Sequence, residues 1–487
     1  MKVFEMNNWA VKKLVFFISR VIIFGCALLL PLYFDKFHSV HKIYGYLAVL
    51  SYFCFVLMNW YLWGKEINYR FKVYARANSS VDRILERILL GSVVSIFVLS
   101  CISLFKGFDE RLLYWIFWTI AVSFFSYPTK RRIIDRKISF EFSELKFMDG
   151  FEKVIFAVIV IIFLISIPSF PVFHGTDAIK VYLDPGELIH DQLWGFYDLI
   201  LFHGRAVTDL NNFAYFYFSY LLFFGLFVIS FYCILRFKFT RKVSLIGTLS
   251  IICTRYLYYL LFNHVSDLLS TATMMTLCWV FLWSLKSSTY RSGLLMGLIG
   301  YFCLLVNIKM LILHAALTIV FILYKYQESS LWYLKQFIRY TLVGAALTFL
   351  TLLLHHGFQI SFNSLNFYEF ITQLKIIFTS KSFFILAVPG LFILLFDLTS
   401  SRDSELRKIS IFFVLALFWG FFFEIGAIRS FFIVALISFV CMLTLDKILM
   451  KVSINKSHQN LIILFYVVMC MMDSSIEYRV KNLLELL

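Results

Sequence analysis

Residues 154–212 read VIFAVIVIIFLISIPSFPVFHGTDAIKVYLDPGELIHDQLWGFYDLILFHGRAVTDLNN. The first part, 154 to 170, is apolar without an ionisable group. At about 1.5 Å of rise per residue it crosses most of a hydrocarbon core of about 30 Å as a helix. The remainder, 168 to 212, is a polar island that holds Asp177, Asp184, Glu187, Asp191, Asp198 and Asp209. An apolar helix that delivers the chain into a cluster of carboxylates predicts a membrane protein with its chemistry at a membrane face, because ionisable groups there are costly.

The rest of the chain repeats the first half of that pattern. Of 487 residues, 61% are hydrophobic, 20% aromatic and 15% charged, with a mean hydropathy of +0.83. A soluble domain averages about half apolar and about a quarter charged. The apolar runs do not alternate, which points to helices and away from a barrel. Spans are expected near 14–34, 43–63, 88–105, 112–127, 154–170, 213–235, 243–262, 266–285, 293–307, 310–325, 338–354, 383–397, 409–424, 430–446 and 459–472. The fold class is therefore an all-α polytopic membrane protein of about fifteen transmembrane helices.

The net charge of +16 is informative through its placement. Lys65, Arg70, Lys72, Arg76, Arg83 and Arg87 gather in one loop; Lys130, Arg131, Arg132, Arg136, Lys137, Lys146 and Lys153 gather in the next but one. The positive-inside rule makes both cytoplasmic, so nucleic acid is not an expected partner. The N-terminus, with Lys2, Lys12 and Lys13, then lies inside, and the acidic island and the C-terminus lie outside. The run 14–34 contains Arg20 and no small-residue cleavage site, and reads as a signal anchor.

Three regions follow: an N-terminal four-helix extension, 1–150; a core, 151–450, with external loops at 168–212 and 355–382; and 451–487, a last helix with an external tail that could lie as a short amphipathic helix. The nine cysteines (Cys26, Cys54, Cys101, Cys233, Cys253, Cys278, Cys303, Cys441 and Cys470) lie in or beside apolar runs without metal-ligand spacing. They read as small buried hydrophobes, with neither disulfides nor zinc expected.

Within the island, Asp184-Pro185-Gly186-Glu187 has the form of a helix start and Gly204 of a stop. Between them Ile189, Leu193, Phe196, Tyr197 and Ile200 form an apolar side, as an interfacial helix requires. Glu187, Asp191, Trp194 and Asp198 line another face, at spacings of four, three and four. Asp184 and Glu187 fit capping roles, whereas Asp191 falls mid-helix with no cap to make. Carboxylates beside an exposed tryptophan suit a sugar site, with an acid to take a hydroxyl proton and a plate for the ring.

The segment HDQLWGFYDLILFHGRAVTDLNNF, 190–213, resembles the first external loop of the GT-C superfamily of polytopic glycosyltransferases, including protein O-mannosyltransferases and lipid A aminoarabinose transferases. Asp191 falls at the acid position and His203-Gly204 at the helix end. The stretches 240–270 and 290–317 are similar in rhythm to that superfamily's early core, and FEIGAIRSFFIVALISF, 423–439, resembles its late helix. The resemblance covers roughly residues 152 to 446 and rests on order and texture. Four helices precede the acidic loop, where most members begin with the helix leading into it, and its second acid could be Asp177, Asp184 or Asp198. Length and a basic, aromatic-rich texture are also similar to serotype-converting glucosyltransferases that decorate the O-antigen of lipopolysaccharide.

The resemblance implies a polyprenyl-phosphate sugar as donor, a cell-envelope glycan or lipid as acceptor and, as setting, a bacterial inner membrane. Catalysis would fall to Asp191, with Asp177 and Asp198 as further candidates, in an inverting displacement. Lys309, Arg429 and Arg255, expected near outer helix ends, would hold the donor phosphate as its charge grows. Taken singly, each also reads as a cation snorkelling to the interface. Trp194, His203 and Glu187 would hold the sugar. His264, His314, His355 and His356 read as interfacial or hydrogen-bonded side chains more than as ligands. No cofactor or metal ligand set is expected, although a divalent cation is compatible with the chemistry. A Gly-rich phosphate loop and an Asp-x-Asp pair are absent, which argues against a nucleotide sugar.

Two other readings compete. A transporter or lipid-linked glycan flippase accommodates as many helices, but such folds favour paired broken helices, and the chain has six prolines. An O-antigen polymerase or ligase places its essential residues, often arginines, in large external loops late in the chain. Here that loop, 355–382, carries Glu369, Lys375 and Lys381 but no arginine.

Overall fold

The computed structural model describes residues 2–36, 42–71, 80–103, 110–129, 132, 146–166, 213–254, 265–286, 289–306, 310–354, 381–400, 404–423, 427–451, 456–473, 479–481 and 484. Every extended element among the described residues is a helix. In chain order these are α1 (Lys2–Asp35), α2 (Lys42–Phe71), α3 (Ser80–Ser103), α4 (Glu110–Ser126), α5 (Gly150–Ser166), α6 (Phe213–Lys238), α7 (Arg241–Cys253) and α8 (Val265–Lys286). They continue as α9 (Ser292–Val306), α10 (Met310–Glu328), α11 (Leu331–Leu354), α12 (Lys381–Ser400), α13 (Ser404–Phe423), α14 (Ala427–Lys451) and α15 (Lys456–Asp473). Each coincides with one of the apolar runs.

By length and composition, Trp9–Phe34, Ile43–Phe71, Leu221–Lys238 and Ile433–Lys451 can cross a membrane. Trp115–Ser126, Met310–Tyr326, Leu386–Phe396 and Ser457–Met472 are shorter apolar helices. These segments mark a membrane protein. The spans of α6 and α14 are each 78% buried and form the centre, whereas that of α1 is 22% buried and turns Leu14, Ile18, Ile22 and Leu29 outward. An apolar outer face is stable where the surroundings are lipid tails.

Lipid supplies no hydrophobic drive between helices, so close packing of small residues must hold them together. A Cβ on Gly91 of α3 would fall 1.7 Å from the Trp60 carbonyl oxygen of α2, and one on Gly64 of α2 would fall 1.8 Å from that of Arg87. Between α9 and α11, Gly297 and Gly344 allow the same approach; a Cβ on Gly297 would lie 2.2 Å from the Thr341 carbonyl oxygen. Buried hydroxyl pairs add to this. Ser230 and Thr276 lie 3.1 Å apart between α6 and α8, and Ser250 and Ser438 lie 2.9 Å apart between α7 and α14.

Several contacts of charged side chains gather at one end, called here the basic end. Arg132 pairs with Glu66 at 3.3 Å, Arg241 with Glu152 at 2.5 Å, and Lys242 bonds Asn460. Arg291 donates to the Phe71 carbonyl at 3.2 Å, and Lys408 lies over the Tyr324 ring. All of these residues belong to connections, or helix ends beside them, that the charge pattern assigns to one side. Helix α5 starts there with a capping box: the Glu152 amide donates to Asp149 Oδ1 at 2.7 Å and the Asp149 amide to Glu152 Oε2 at 3.0 Å.

Two details depart from the sequence reading. Helices α2, α3 and α11 run past their expected spans, to Phe71, from Ser80 and from Leu331. A hydropathy window stops at charge, but backbone bonding continues where polar side chains find partners, as Glu66 and Asn68 do. In addition, Thr444 Oγ1 of α14 bonds the Leu386 carbonyl of α12 at 2.7 Å while Gly390 packs on Val440. These contacts step forward along α12 and backward along α14, the register of an antiparallel pair. Strict alternation of crossings would make the two helices parallel.

Candidate functional site

The residues expected to carry chemistry in the island, Asp177, Asp184, Glu187, Asp191, Trp194, Asp198 and His203, lie outside the described residues, as do Arg255 and Lys309. Arg429 belongs to the first turn of α14, and its side chain lies outside the description. The described helix ends beside these segments nevertheless share a location. Helix α5 begins at the basic end with Glu152, α7 with Arg241 and α9 beside Arg291, so Ser166, Cys253 and Val306 end at the opposite face. Helix α6 finishes with Arg236 and Lys238, and α14 leads into α15, whose Asn460 meets Lys242, so Phe213 and Ala427 start at that opposite face. The segments with the six island carboxylates, Arg255, Lys309 and Arg429 therefore adjoin helix ends at one face.

A residue that the sequence reading missed joins two of these ends. Arg479, 2% exposed, donates from Nη1 to Ser166 Oγ at 2.7 Å and from Nη2 to the Ile252 carbonyl at 3.1 Å. A helix leaves its last carbonyls without intrahelical partners and carries partial negative charge there, so a guanidinium between the ends of α5 and α7 is favourable to both. On the same face the Tyr46 hydroxyl donates to the Leu164 carbonyl at 3.0 Å, tying α2 to α5. The one described guanidinium of the tail, which could lie as a short amphipathic helix, is buried. A lone arginine in EYRVKN carries no local sign of this.

Close to the Lys309 segment, His314 Nε2 lies 2.7 Å from the Met296 carbonyl oxygen and the ring packs on Gly300. It is a hydrogen-bonded side chain, as expected. The buried cysteines Cys233, Cys253, Cys278, Cys303, Cys441 and Cys470 behave as small hydrophobes, while Cys26 and Cys54 sit on exposed surface. Among the described residues no group of histidine, cysteine and carboxylate side chains is gathered to hold a metal.

The basic end has its own buried polar cluster. Asp82 accepts from Trp279 Nε1 at 2.8 Å, which docks α3 on α8, and Glu86 one turn on accepts from Asn68 Nδ2 of α2. Glu86 precedes the expected span of α3. Burial pushes its carboxyl up to about 8, with Arg87 and Arg83 pulling down and Asp82 adding to the rise. The Arg87 guanidinium also bonds the Tyr61 hydroxyl at 2.6 Å. With Asn68, Tyr61 and Trp279 as its partners, this cluster ties the N-terminal helices to the centre.

No family model, curated protein or solved structure matches the chain.

Proposed function

We propose that the chain is a GT-C-like membrane glycosyltransferase of about fifteen crossings that moves a sugar from a polyprenyl-phosphate donor to an acceptor hydroxyl on the outer membrane face. In this reading it resides in a bacterial inner membrane with the N-terminus cytoplasmic and the C-terminus external. The observation that supports it is the concentration of carboxylates between α5 and α6, at the face where the helices beside Arg255, Lys309 and Arg429 also end.

The reaction is a single displacement. Asp191 accepts the proton of the acceptor hydroxyl; its oxygen attacks the anomeric carbon from the face opposite the phosphate. The bond from that carbon to the phosphate oxygen breaks, the electron pair leaves with polyprenyl phosphate, and the configuration inverts. Lys309, Arg429 and Arg255 meet the growing phosphate charge, and Trp194, His203 and Glu187 hold the sugar in line. Asp191 then returns its proton to water.

Transfer from a radiolabelled polyprenyl-phosphate hexose by purified protein in detergent tests this. Wild type transfers, and Asp191→Asn at equal folded yield loses about a hundredfold or more. Transfer that survives in Asp191→Asn moves the base to Asp177 or Asp198. Folded wild type inert toward every such donor removes the enzyme reading in favour of a transporter.

A further inference from the structure

Arg479 lies beyond α15, yet it is built into the bundle. Helix α15 runs the same way as α7, since Asn460 meets Lys242 at the basic end and Tyr466 lies beside Ser250. Ile252 is two residues past Ser250, whereas Asp473 is seven past Tyr466. The end of α15 thus lies beyond the level of Ile252 by about 7 Å of helix rise, and Arg479 is found back at that level.

Its partners complete the end of α7. The Ser250 carbonyl accepts from Thr254 Oγ1 at 2.8 Å, the Ile251 carbonyl from the Thr254 amide at 3.3 Å and the Ile252 carbonyl from Arg479 Nη2 at 3.1 Å. On α5, Ser166 Oγ donates to the Ile162 carbonyl at 2.6 Å and accepts from Arg479 Nη1. A buried guanidinium is costly without such partners, and its planar fork can hold two acceptors at a fixed separation.

We propose that Arg479 acts as a strap, a positioning residue that sets the distance between the ends of α5 and α7. Those ends release the acidic loop and the Arg255 segment. In the glycosyltransferase reading, on which the catalytic consequence rests, the strap holds the base in reach of the donor. A displacement of about 1 Å in such a site costs about a hundredfold in rate.

The strap is tested without reference to activity through Cys253, buried next to Ile252 at the end of α7. In full-length protein with the other cysteines replaced, maleimide labels Cys253 about tenfold faster or more in Arg479→Gln than with Arg479 present. Arg479→Lys falls between, because an ammonium cannot fork to both acceptors. In the transfer assay, Arg479→Gln lowers kcat about a hundredfold while the donor KM moves by no more than a few fold. Adding Ser166→Ala costs little more, since both act through one contact. Unchanged Cys253 labelling or unchanged kcat in folded Arg479→Gln overturns the proposal. If Arg479→Gln does not fold, Ser166→Ala decides: faster labelling supports the strap and unchanged labelling overturns it. Wild type that transfers from no donor removes the glycosyltransferase reading, while the labelling result still stands or falls alone.

Discussion

At position 86 a carboxylate sits 2% exposed, held by Asn68 on α2, with Asp82 one turn earlier on its own helix. Its carboxyl ionises near 8 against the usual 4.5 because burial disfavours the charged form. Between those values the folded protein holds a proton that the unfolded chain releases. This contribution to stability is therefore full below about 4.5 and is lost as pH rises to about 8. The melting temperature of the solubilised protein is expected to fall from about pH 6 to about pH 9, and Glu86→Gln to flatten that fall. An undiminished slope in Glu86→Gln would assign the dependence to other groups. The sequence carries half of this cluster: VDRILER places Asp82 and Glu86 four residues apart on one helix face. Nothing local reveals that Trp279, far along the chain, faces Asp82, or that Arg479 reaches Ser166 across 313 residues.

Between elements, the approach of α2 to α3 decides more than their apolar content does. Apolar content does not choose a partner, and the pair is selected by two glycines that let backbone meet backbone. With the Trp60 carbonyl oxygen 1.7 Å from the position of a Gly91 Cβ, any side chain forces the helices apart along their length. Gly91→Val is expected to cost about 1–3 kcal/mol or more and to lower the monodisperse fraction in size-exclusion chromatography. Gly25 of α1 has open space around its Cβ position, so Gly25→Val is the control expected to behave as wild type. Equal loss from both substitutions would remove close packing as the cause. Helix existence was legible because an apolar run has one stable form in lipid. Helix pairing was not, because a glycine in a span reads alike whether it faces a neighbour or lipid.

For the whole molecule, alternating charge orders the ends of the helices as far as α11, and the contacts at the basic end agree with it. The α12–α14 pair is where a rule built on loops meets one built on packing. Alternation sends α12 away from the outer face at Lys381 and α14 likewise at Ala427, which makes them parallel. The hydrogen bond from Thr444 to Leu386 and the seat of Gly390 on Val440 instead set the start of α12 level with the later half of α14. The late half of α14 leads to the basic end, so this packing sets the start of α12 on that side, whereas the contact of Lys408 with Tyr324 sets the start of α13, three residues past α12, there instead. In the proposed orientation that side is cytoplasmic. Single-cysteine variants in an otherwise cysteine-free chain separate the two rules, with Lys481→Cys and Lys146→Cys as references for the two faces. An impermeant maleimide applied to intact cells is expected to label Lys481→Cys and to spare both Lys146→Cys and Lys381→Cys until the membrane is opened. Labelling of Lys381→Cys in intact cells would restore strict alternation and make the α12–α14 register the feature in need of another cause. Positive-inside counting works on loops with a decided excess of cations, and the connection that precedes α12 has none: Glu369 and Lys375 balance within it, leaving packing as the stronger constraint on that helix.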